Sequence, residues 1–151
     1  MFKLGSITVP FIAEGEGINI VGMLVGIFTA LLGGWDTALQ VLLILMSIDI
    51  LSGIIKAWYV KELGGFSSKK FREGLLNKAA YFLVLILAYQ IDVMLGNGEP
   101  IIRTGATIYY IAVEGSSLLE NMGAMGVPIP SVIKKNLSVL KDLGDKTEEE
   151  N

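Results

Sequence analysis

Two carboxylic acids, Asp49 and Glu114, stand inside long apolar stretches of this 151-residue chain. An ionisable side chain near the centre of a bilayer costs roughly 2.5–3.5 kcal/mol on insertion scales, so such residues are seldom incidental. Acids in this position are typical of proton relays, ion pathways and polar contacts that join helices or open a pore. The chemistry these residues offer is therefore polar contact or ion handling within a membrane.

Asp49 shares one helix face with Gly53 and Lys56, so we expect this face to pack inward. Lys56 lies two turns along the helix, which is too far for an ideal direct contact with the Asp49 carboxylate. The functional interpretation is that Asp49 controls helix association or pore opening. The alternative is a protonated, hydrogen-bonded Asp49 that only fixes helix packing.

Six polar residues recur between positions 101 and 122 at alternating steps of four and three, which places them on one face of an α-helix. We call this face the polar stripe; its members are Arg103, Thr107, Tyr110, Glu114, Ser117 and Asn121. An apolar helix with such a stripe turns it toward partners or water. In a small bundle we expect the stripe to hydrogen-bond to other helices, with Asp49 and Asn77 as candidate partners. In a large ring it could instead face water.

Composition supports a membrane protein and argues against an enzyme. Hydrophobic residues make up 52% of the chain, charged residues only 18%, and the mean hydropathy is +0.61. There is no Cys and no His, so thiolate chemistry, disulfides and the commonest metal ligands and general bases are excluded. The net charge is −3, and no basic surface alternates with aromatics, so we predict no nucleic-acid partner. We also expect no metal and no cofactor.

Four apolar segments must position these residues, at about 17–34, 37–60, 74–95 and 101–122. The first is only about long enough to cross a ~30 Å hydrocarbon core, and three spans remain if it lies on the surface. The predicted fold is therefore an all-α integral membrane protein with three to four transmembrane helices plus a C-terminal amphipathic helix. Gly22 and Gly26 form a GxxxG pattern that favours close helix packing, although glycine is common in membrane helices generally.

The remaining segments are shorter and more polar. Residues 1–16 form an N-terminal lead-in, and Asp36 and Ser67 or Ser68 are predicted helix N-caps. Residues 123–143 contain a Gly/Pro break followed by an amphipathic helix, which is interfacial or binds a partner. The acidic tail, 144–151, is predicted to be disordered.

Basic residues set the expected orientation. They cluster in and around the loop at 60–73 and in the C-terminal region, and cytoplasmic loops carry an excess of Lys and Arg. We therefore expect a multi-pass protein of the bacterial inner membrane with a cytoplasmic C-terminus. The N-terminus is cytoplasmic with four spans and outside with three.

A set of short motifs over about residues 33–140 resembles the phage holins grouped with clostridial toxin-release proteins. The motifs are Trp35-Asp36, Asp49 with Ser52-Gly53, Gly74 with Lys78, Asp92, and Glu114 to Asn121 leading to Pro128-Ile129-Pro130. The resemblance implies a protein that oligomerises in the bacterial cytoplasmic membrane and opens lesions at a set time. Through these an endolysin, or a toxin, leaves the cell. The family brings no catalytic residues, and its members often have three spans.

Two other classes of membrane protein also fit the sequence. A small ion or proton channel would conduct selectively without releasing proteins, and a regulatory subunit such as an antiholin would be harmless alone. The partners expected for the holin are membrane lipid, further copies of the chain, an endolysin that need not bind directly, and an antiholin. Asp49 and the polar stripe are the residues we expect to bias the change from small clusters to an open assembly.

Overall fold

The computed structural model describes residues 20–60, 65–96 and 98–149, and this part of the chain contains five helices and no strand. The helices are α1 (Ile20–Leu31), α2 (Thr37–Tyr59), α3 (Ser68–Leu95), α4 (Ile101–Ala124) and α5 (Ser131–Glu149). The all-α prediction is thus confirmed for these residues. The predicted lead-in at 1–16, and residues 17–19 of the first predicted span, lie outside the described residues.

Two of the helices, α2 and α3, are long and apolar enough to cross a membrane. Their most apolar stretches have mean hydropathies of 2.2 and 1.6, and only 28% and 17% of those stretches are buried. Such exposure differs from the core helix of a soluble protein and fits helices surrounded by lipid. The described part of α1 has 12 residues, or about 18 Å, which is short of a ~30 Å hydrocarbon core.

Side-chain caps determine where the two apolar helices begin. Asp36 Oδ1 accepts the Leu39 N–H at 2.9 Å, as predicted for the start of α2. Ser67 Oγ accepts the Lys70 N–H at 3.4 Å, so α3 begins at Ser68, several residues before the predicted boundary at 74. The first turns of α3 are basic and polar, so a boundary placed by hydropathy alone falls too late in the sequence.

α4 lies at the centre and packs against α2, α3 and α5. It runs parallel to α2 and antiparallel to α3, because Arg103 near its start contacts Asp36 and Asn121 near its end contacts Lys56. The apolar core between these helices is formed by Leu32, Leu39, Leu42, Met46 and Leu85. The polar stripe of α4 is thus held beside α2 and α3.

The turn after α1 depends on a glycine. Gly33 has φ +80°, a left-handed conformation that side chains disfavour, and a Cβ there would lie 2.3 Å from the Tyr89 ring. Tyr89 belongs to α3, and Phe28 of α1 also contacts Phe82 of α3 with ring centroids 5.5 Å apart. These contacts hold the end of α1 against α3.

α5 folds back onto the face of α4 opposite the polar stripe. A Cβ at Gly115 would lie 2.7 Å from Leu137 Cδ2, so the two helices approach closely here. The helix is longer than predicted: its backbone stays helical to Glu149, whereas the sequence predicts disorder from residue 144. Lys and Glu are good helix formers, and one glycine at 144 costs only about 1 kcal/mol.

Candidate functional site

The polar stripe faces inward, toward α2 and α3. Four of its members are at most 6% exposed, while Tyr110 and Ser117 are half-buried; the four are Arg103, Thr107, Glu114 and Asn121. Buried polar groups need partners, since leaving one unpaired costs several kcal/mol at worst. Most of the partners belong to two separate clusters, one toward each end of the polar stripe.

The first cluster joins three helices, and we call it the central cluster. It consists of Asp49, Ser52 and Lys56 from α2, Lys78 from α3, and Glu114 and Asn121 from α4. The Lys78 ammonium lies between two carboxylates: its Nζ donates to Asp49 Oδ2 at 3.0 Å and also to Glu114 Oε2. All three side chains are nearly inaccessible to solvent.

Asn121 connects the rest of the cluster. Its Nδ2 donates to Asp49 Oδ1 at 3.0 Å and to Ser52 Oγ at 2.9 Å, and its Oδ1 accepts from Lys56 Nζ. Lys56 and Asp49 lie two turns apart on α2. Asn121 links their side chains, so a direct contact between them is not needed. Gly53 lies beside this arrangement, and a Cβ there would make an ordinary contact of 3.8 Å with Asn121 Nδ2.

Charge in the central cluster is balanced. Two lysines, Lys56 and Lys78, face two carboxylates, Asp49 and Glu114, so the formal charges cancel. Buried charges are tolerated when they are paired and hydrogen-bonded. The predicted contact of the stripe with Asp49 is confirmed, whereas Asn77 is exposed and is not a partner.

The second cluster, which we call the Arg103 cluster, contains Asp36, Asp92 and Arg103. The Arg103 guanidinium forms an ion pair with Asp36, and its Nη1 donates to the Leu32 carbonyl at 2.7 Å and to the Gly34 carbonyl at 3.4 Å. Within the described residues, Arg103 Nε is the one buried side-chain nitrogen or oxygen without a hydrogen-bond partner. The side chain ties α4 to the turn between α1 and α2.

Asp92 caps α4 from a different helix. Its two carboxylate oxygens accept the N–H groups of Ile102 at 2.9 Å and of Arg103 at 2.8 Å. Pro100, the residue at the N-cap position of α4, makes no side-chain cap. The carboxylate from α3 therefore satisfies two of the amide groups that the start of α4 leaves free.

The middle of the stripe is filled by rings and local bonds. Tyr110 stacks on Tyr81 of α3 with ring centroids 4.1 Å apart. Thr107 Oγ1 donates to the Arg103 carbonyl at 2.8 Å, so its hydroxyl is satisfied within α4 itself. Of the predicted site residues, the structure brings Asp49, Lys56, Glu114 and Asn121 into one network and places Arg103 in another.

Reasoning from the sequence missed Lys78 and Asp92 as site residues; both enter it only as parts of the resemblance. A charge count gives the signal that could have found Lys78. Two acids placed within apolar spans require a cation at similar depth, and Lys78 is the lysine inside the predicted third span. For Asp92 the signal is the absence of a side-chain cap at Pro100.

Gly22 and Gly26 lie on exposed positions of α1. A Cβ at Gly26 would meet nothing within 4 Å, so the predicted close packing at this glycine is not made within the described part of the chain. Among the described residues no group of three or more potential ligands could hold a metal ion. The arrangement as a whole can hide charge inside an apolar bundle and can release it if the helices separate.

Comparison with known proteins identifies the same family that the sequence motifs resemble. A model of the bacteriophage holin family matches residues 26–142. A probable holin of Bacillus phage phi105 is 40% identical over 114 residues, which cover 74% of this chain and 81% of that protein. An uncharacterized 14.9 kDa protein from the nagH 3' region of Clostridium perfringens is 39% identical over 126 residues, covering 83% and 91%. No solved structure matches the chain.

The chain therefore belongs to the bacteriophage holin family. Membership of this family indicates a non-enzymatic membrane protein with a role in phage lysis.

Proposed function

We propose that this protein is a holin that oligomerises in the bacterial cytoplasmic membrane and forms lesions at a set time. The lesions release an endolysin, or a toxin, that accumulates in the cytoplasm. The released protein needs no direct contact with the holin, because a lesion of sufficient size passes any folded cargo.

The observation that carries this proposal is the inward closure of the polar stripe by opposite charges on α2 and α3. The outer surfaces of the same helices are apolar, with Ile44, Leu51, Leu83 and Leu87 all more than half exposed. A single chain in this form presents apolar side chains to lipid and conceals its charges. Separation of α4 from α2 and α3 in a large assembly would turn those charges toward water.

The energetics of buried ion pairs make such a change accessible. The desolvation penalty of a buried pair offsets most of its Coulombic attraction, so its net contribution to stability is small. Transferring all members of the central cluster to a wet surface together therefore costs little. Removing one partner alone costs much more, because a buried charge is left uncompensated.

The proposed orientation follows from the ends of the helices. α2 ends, α3 begins and α4 ends on the same side, where Lys56, Lys69, Lys70 and Arg72 lie. An excess of basic residues marks the cytoplasmic side, so α5 and the C-terminus lie there too. With α2, α3 and α4 as the crossing helices the N-terminus is outside. A fourth crossing completed through α1 would place it in the cytoplasm.

We also propose that the exposed surface of α1 forms contacts between copies of this chain. Gly22 and Gly26 lie one turn apart, and small residues at this spacing let a second helix approach closely. No described residue lies within 4 Å of a Cβ at Gly26, which supports this proposal. Membrane lipid covers the surface before assembly.

The test is induced expression in bacteria, with and without a cytoplasmic endolysin that lacks its own export signal. Abrupt lysis only when both proteins are present supports the proposal. Growth arrest with ion leakage and no endolysin release would identify a small channel instead. Membrane insertion without any effect on growth would point to a regulatory subunit such as an antiholin.

A double variant, Asp49→Asn with Glu114→Gln, tests the role of the central cluster. It leaves the Lys78 ammonium without a compensating charge, so the closed bundle loses stability and lysis begins earlier. Glu120→Gln is the matched control, since Glu120 is on the same helix but exposed. Equal lysis times for wild type and double variant, at equal amounts of membrane-inserted protein, would contradict the proposed role.

A further inference from the structure

A cleft of about 380 Å³ opens between the second half of α2 and the first half of α3. Its lining divides into two chemical halves. One is apolar and includes Ile50, Ile54, Phe71 and Leu75, while the other is polar and contains three lysines beside one carboxylate and one amide: Lys56, Lys70, Lys78, Asp49 and Asn121. An amphiphilic lining of this kind suits a ligand that carries an anionic group on an apolar body.

The lysines of the cleft differ in their partners. Lys56 and Lys78 belong to the central cluster, where Asp49 and Glu114 balance their charges. Lys70, at the mouth, forms no ion pair with any residue that the structure describes. Among the described residues, none compensates the positive charge of Lys70 at the mouth.

Two further features favour an anion at the same place. Ser67 lines the cleft, and its hydroxyl can donate a hydrogen bond while its oxygen caps α3. The N-terminus of a long helix also bears a partial positive charge, which adds to that of Lys70. Phe66 and Phe71, with ring centroids 5.8 Å apart, form the aromatic edge of the mouth.

The apolar half of the lining indicates which kind of anion the cleft binds. Ile54 is partly exposed on α2, and Leu75 is 50% exposed on α3, so this wall continues onto the surface that we propose lipid covers. A soluble anion would leave that wall in contact with water. A phospholipid satisfies both halves, with its phosphate at the mouth and an acyl chain along Ile50, Ile54 and Leu75.

We propose that this cleft binds an anionic phospholipid, with the phosphate held by Lys70 and Ser67. Basic pockets between membrane helices on the cytoplasmic side are a recurrent setting for acidic headgroups. The inference stands apart from lesion formation, because it concerns the closed single-chain bundle. It would hold for a regulatory subunit as well as for a holin.

The experiment is native mass spectrometry of the full chain released from neutral detergent micelles with added lipid. Phosphatidylglycerol is the probe, and zwitterionic phosphatidylcholine, which has no net charge, is the comparison. We expect retained phosphatidylglycerol on the wild type and about fivefold weaker binding in Lys70→Gln, the effect of removing one basic residue at a lipid surface. Retention of phosphatidylcholine to the same extent would overturn the proposal.

Lys69→Gln is the matched control. Lys69 is the neighbouring residue and carries the same charge, but it pairs with Glu73 at 3.9 Å and does not line the cleft. The two variants have equal net charge, so non-specific attraction changes equally. We expect Lys69→Gln to bind as the wild type does, and an equal loss in both variants would show that no specific site exists.

A competition arm separates the lipid from its headgroup. Glycerol phosphate at millimolar concentration presents a phosphate ester of glycerol without acyl chains. If the apolar wall contributes, this soluble anion leaves the bound phosphatidylglycerol in place. Displacement of the lipid by glycerol phosphate would overturn the assignment and make the mouth a site for free phosphate esters.

Discussion

The two polar clusters of this bundle both bury charge, yet they join different parts of the chain. The Arg103 cluster acts on the backbone: its guanidinium binds carbonyls of the turn between α1 and α2, and Asp92 binds amides at the start of α4. Between helices, the central cluster joins side chains only, through Lys78, Asn121 and the groups they contact. One cluster fixes where helices begin and end, and the other fixes how they face each other.

The two clusters should therefore have different roles: the Arg103 cluster stabilises the bundle, and the central cluster controls its opening. The Arg103 cluster cannot be broken without exposing backbone groups at the helix ends, so it holds the connections of α4 in place. The central cluster can open while every helix keeps its own hydrogen bonds. Helix separation should therefore begin at the end that carries Lys78 and Asn121, with the Arg103 end as the pivot.

Removal of Lys78 should have the largest effect on the stability of the central cluster. Lys78→Met leaves Asp49 and Glu114 buried without their shared cation, so the free energy of unfolding should fall by about 3–5 kcal/mol. Denaturation of the purified protein in mixed detergent micelles measures this change. Lys69→Met, at an exposed position of the same helix, should change it by less than about 0.5 kcal/mol.

A triple variant sharpens the same test. Adding Asp49→Asn and Glu114→Gln to Lys78→Met removes the uncompensated charges along with the cation, so much of the lost stability should return. If the triple variant is as unstable as Lys78→Met alone, charge compensation is not the reason for the loss.

Arg103→Met should have the next largest effect, confined to the other end. Hydrogen bonds from charged groups contribute about 1.5–3 kcal/mol, and the Leu32 carbonyl and Asp36 lose theirs. Faster hydrogen exchange should appear in the first turn of α4 and around residues 32–36, with the central cluster protected as before. Exchange that rises equally around Lys78 would mean that the two clusters are one cooperative unit.

Asp92→Ala should produce a smaller change at one helix end. The N–H groups of Ile102 and Arg103 lose their acceptor, and loss of an N-cap costs about 0.5–2 kcal/mol. The exchange rates of these two amides report the loss directly. Glu99→Ala, an exposed acid in the same loop, is the control, and equal effects from both changes would argue for a general charge effect at the start of α4.

The sequence predicted the faces of the helices better than their partners. Helical spacing alone placed Arg103, Glu114 and Asn121 on one face, which the structure shows to be buried, and residue type identified Asp36 as a cap. Periodicity describes a helix in isolation, so it gives a face but neither the depth nor the rotation of the neighbouring helix. That is why Asn77 was a candidate although the adjacent Lys78 points at the stripe.

The contacts that cross loops were not predicted, for a related reason. Asp92 reaches the start of α4 only because the chain reverses after Gly96, which has φ +69°. Lys56 reaches Asp49, which is on the same helix, only through the Asn121 amide of α4. Such links depend on more than one element at once, and local patterns carry information about one.

Ser52→Ala should give the smallest effect and test how finely the central cluster is tuned. The Ser52 hydroxyl accepts from Asn121 Nδ2 and donates to the Asp49 carbonyl, both at 2.9 Å. Its loss removes one acceptor while the Asn121 amide keeps Asp49, so the free energy of unfolding should fall by about 1 kcal/mol. Ser47→Ala is the matched control on α2, since its exposed hydroxyl bonds only to the Leu43 carbonyl of its own helix. A loss confined to Ser52→Ala, together with slightly earlier lysis, would place even this minor member in the closed-state network. Equal behaviour of the two variants would restrict that network to the charged side chains and Asn121.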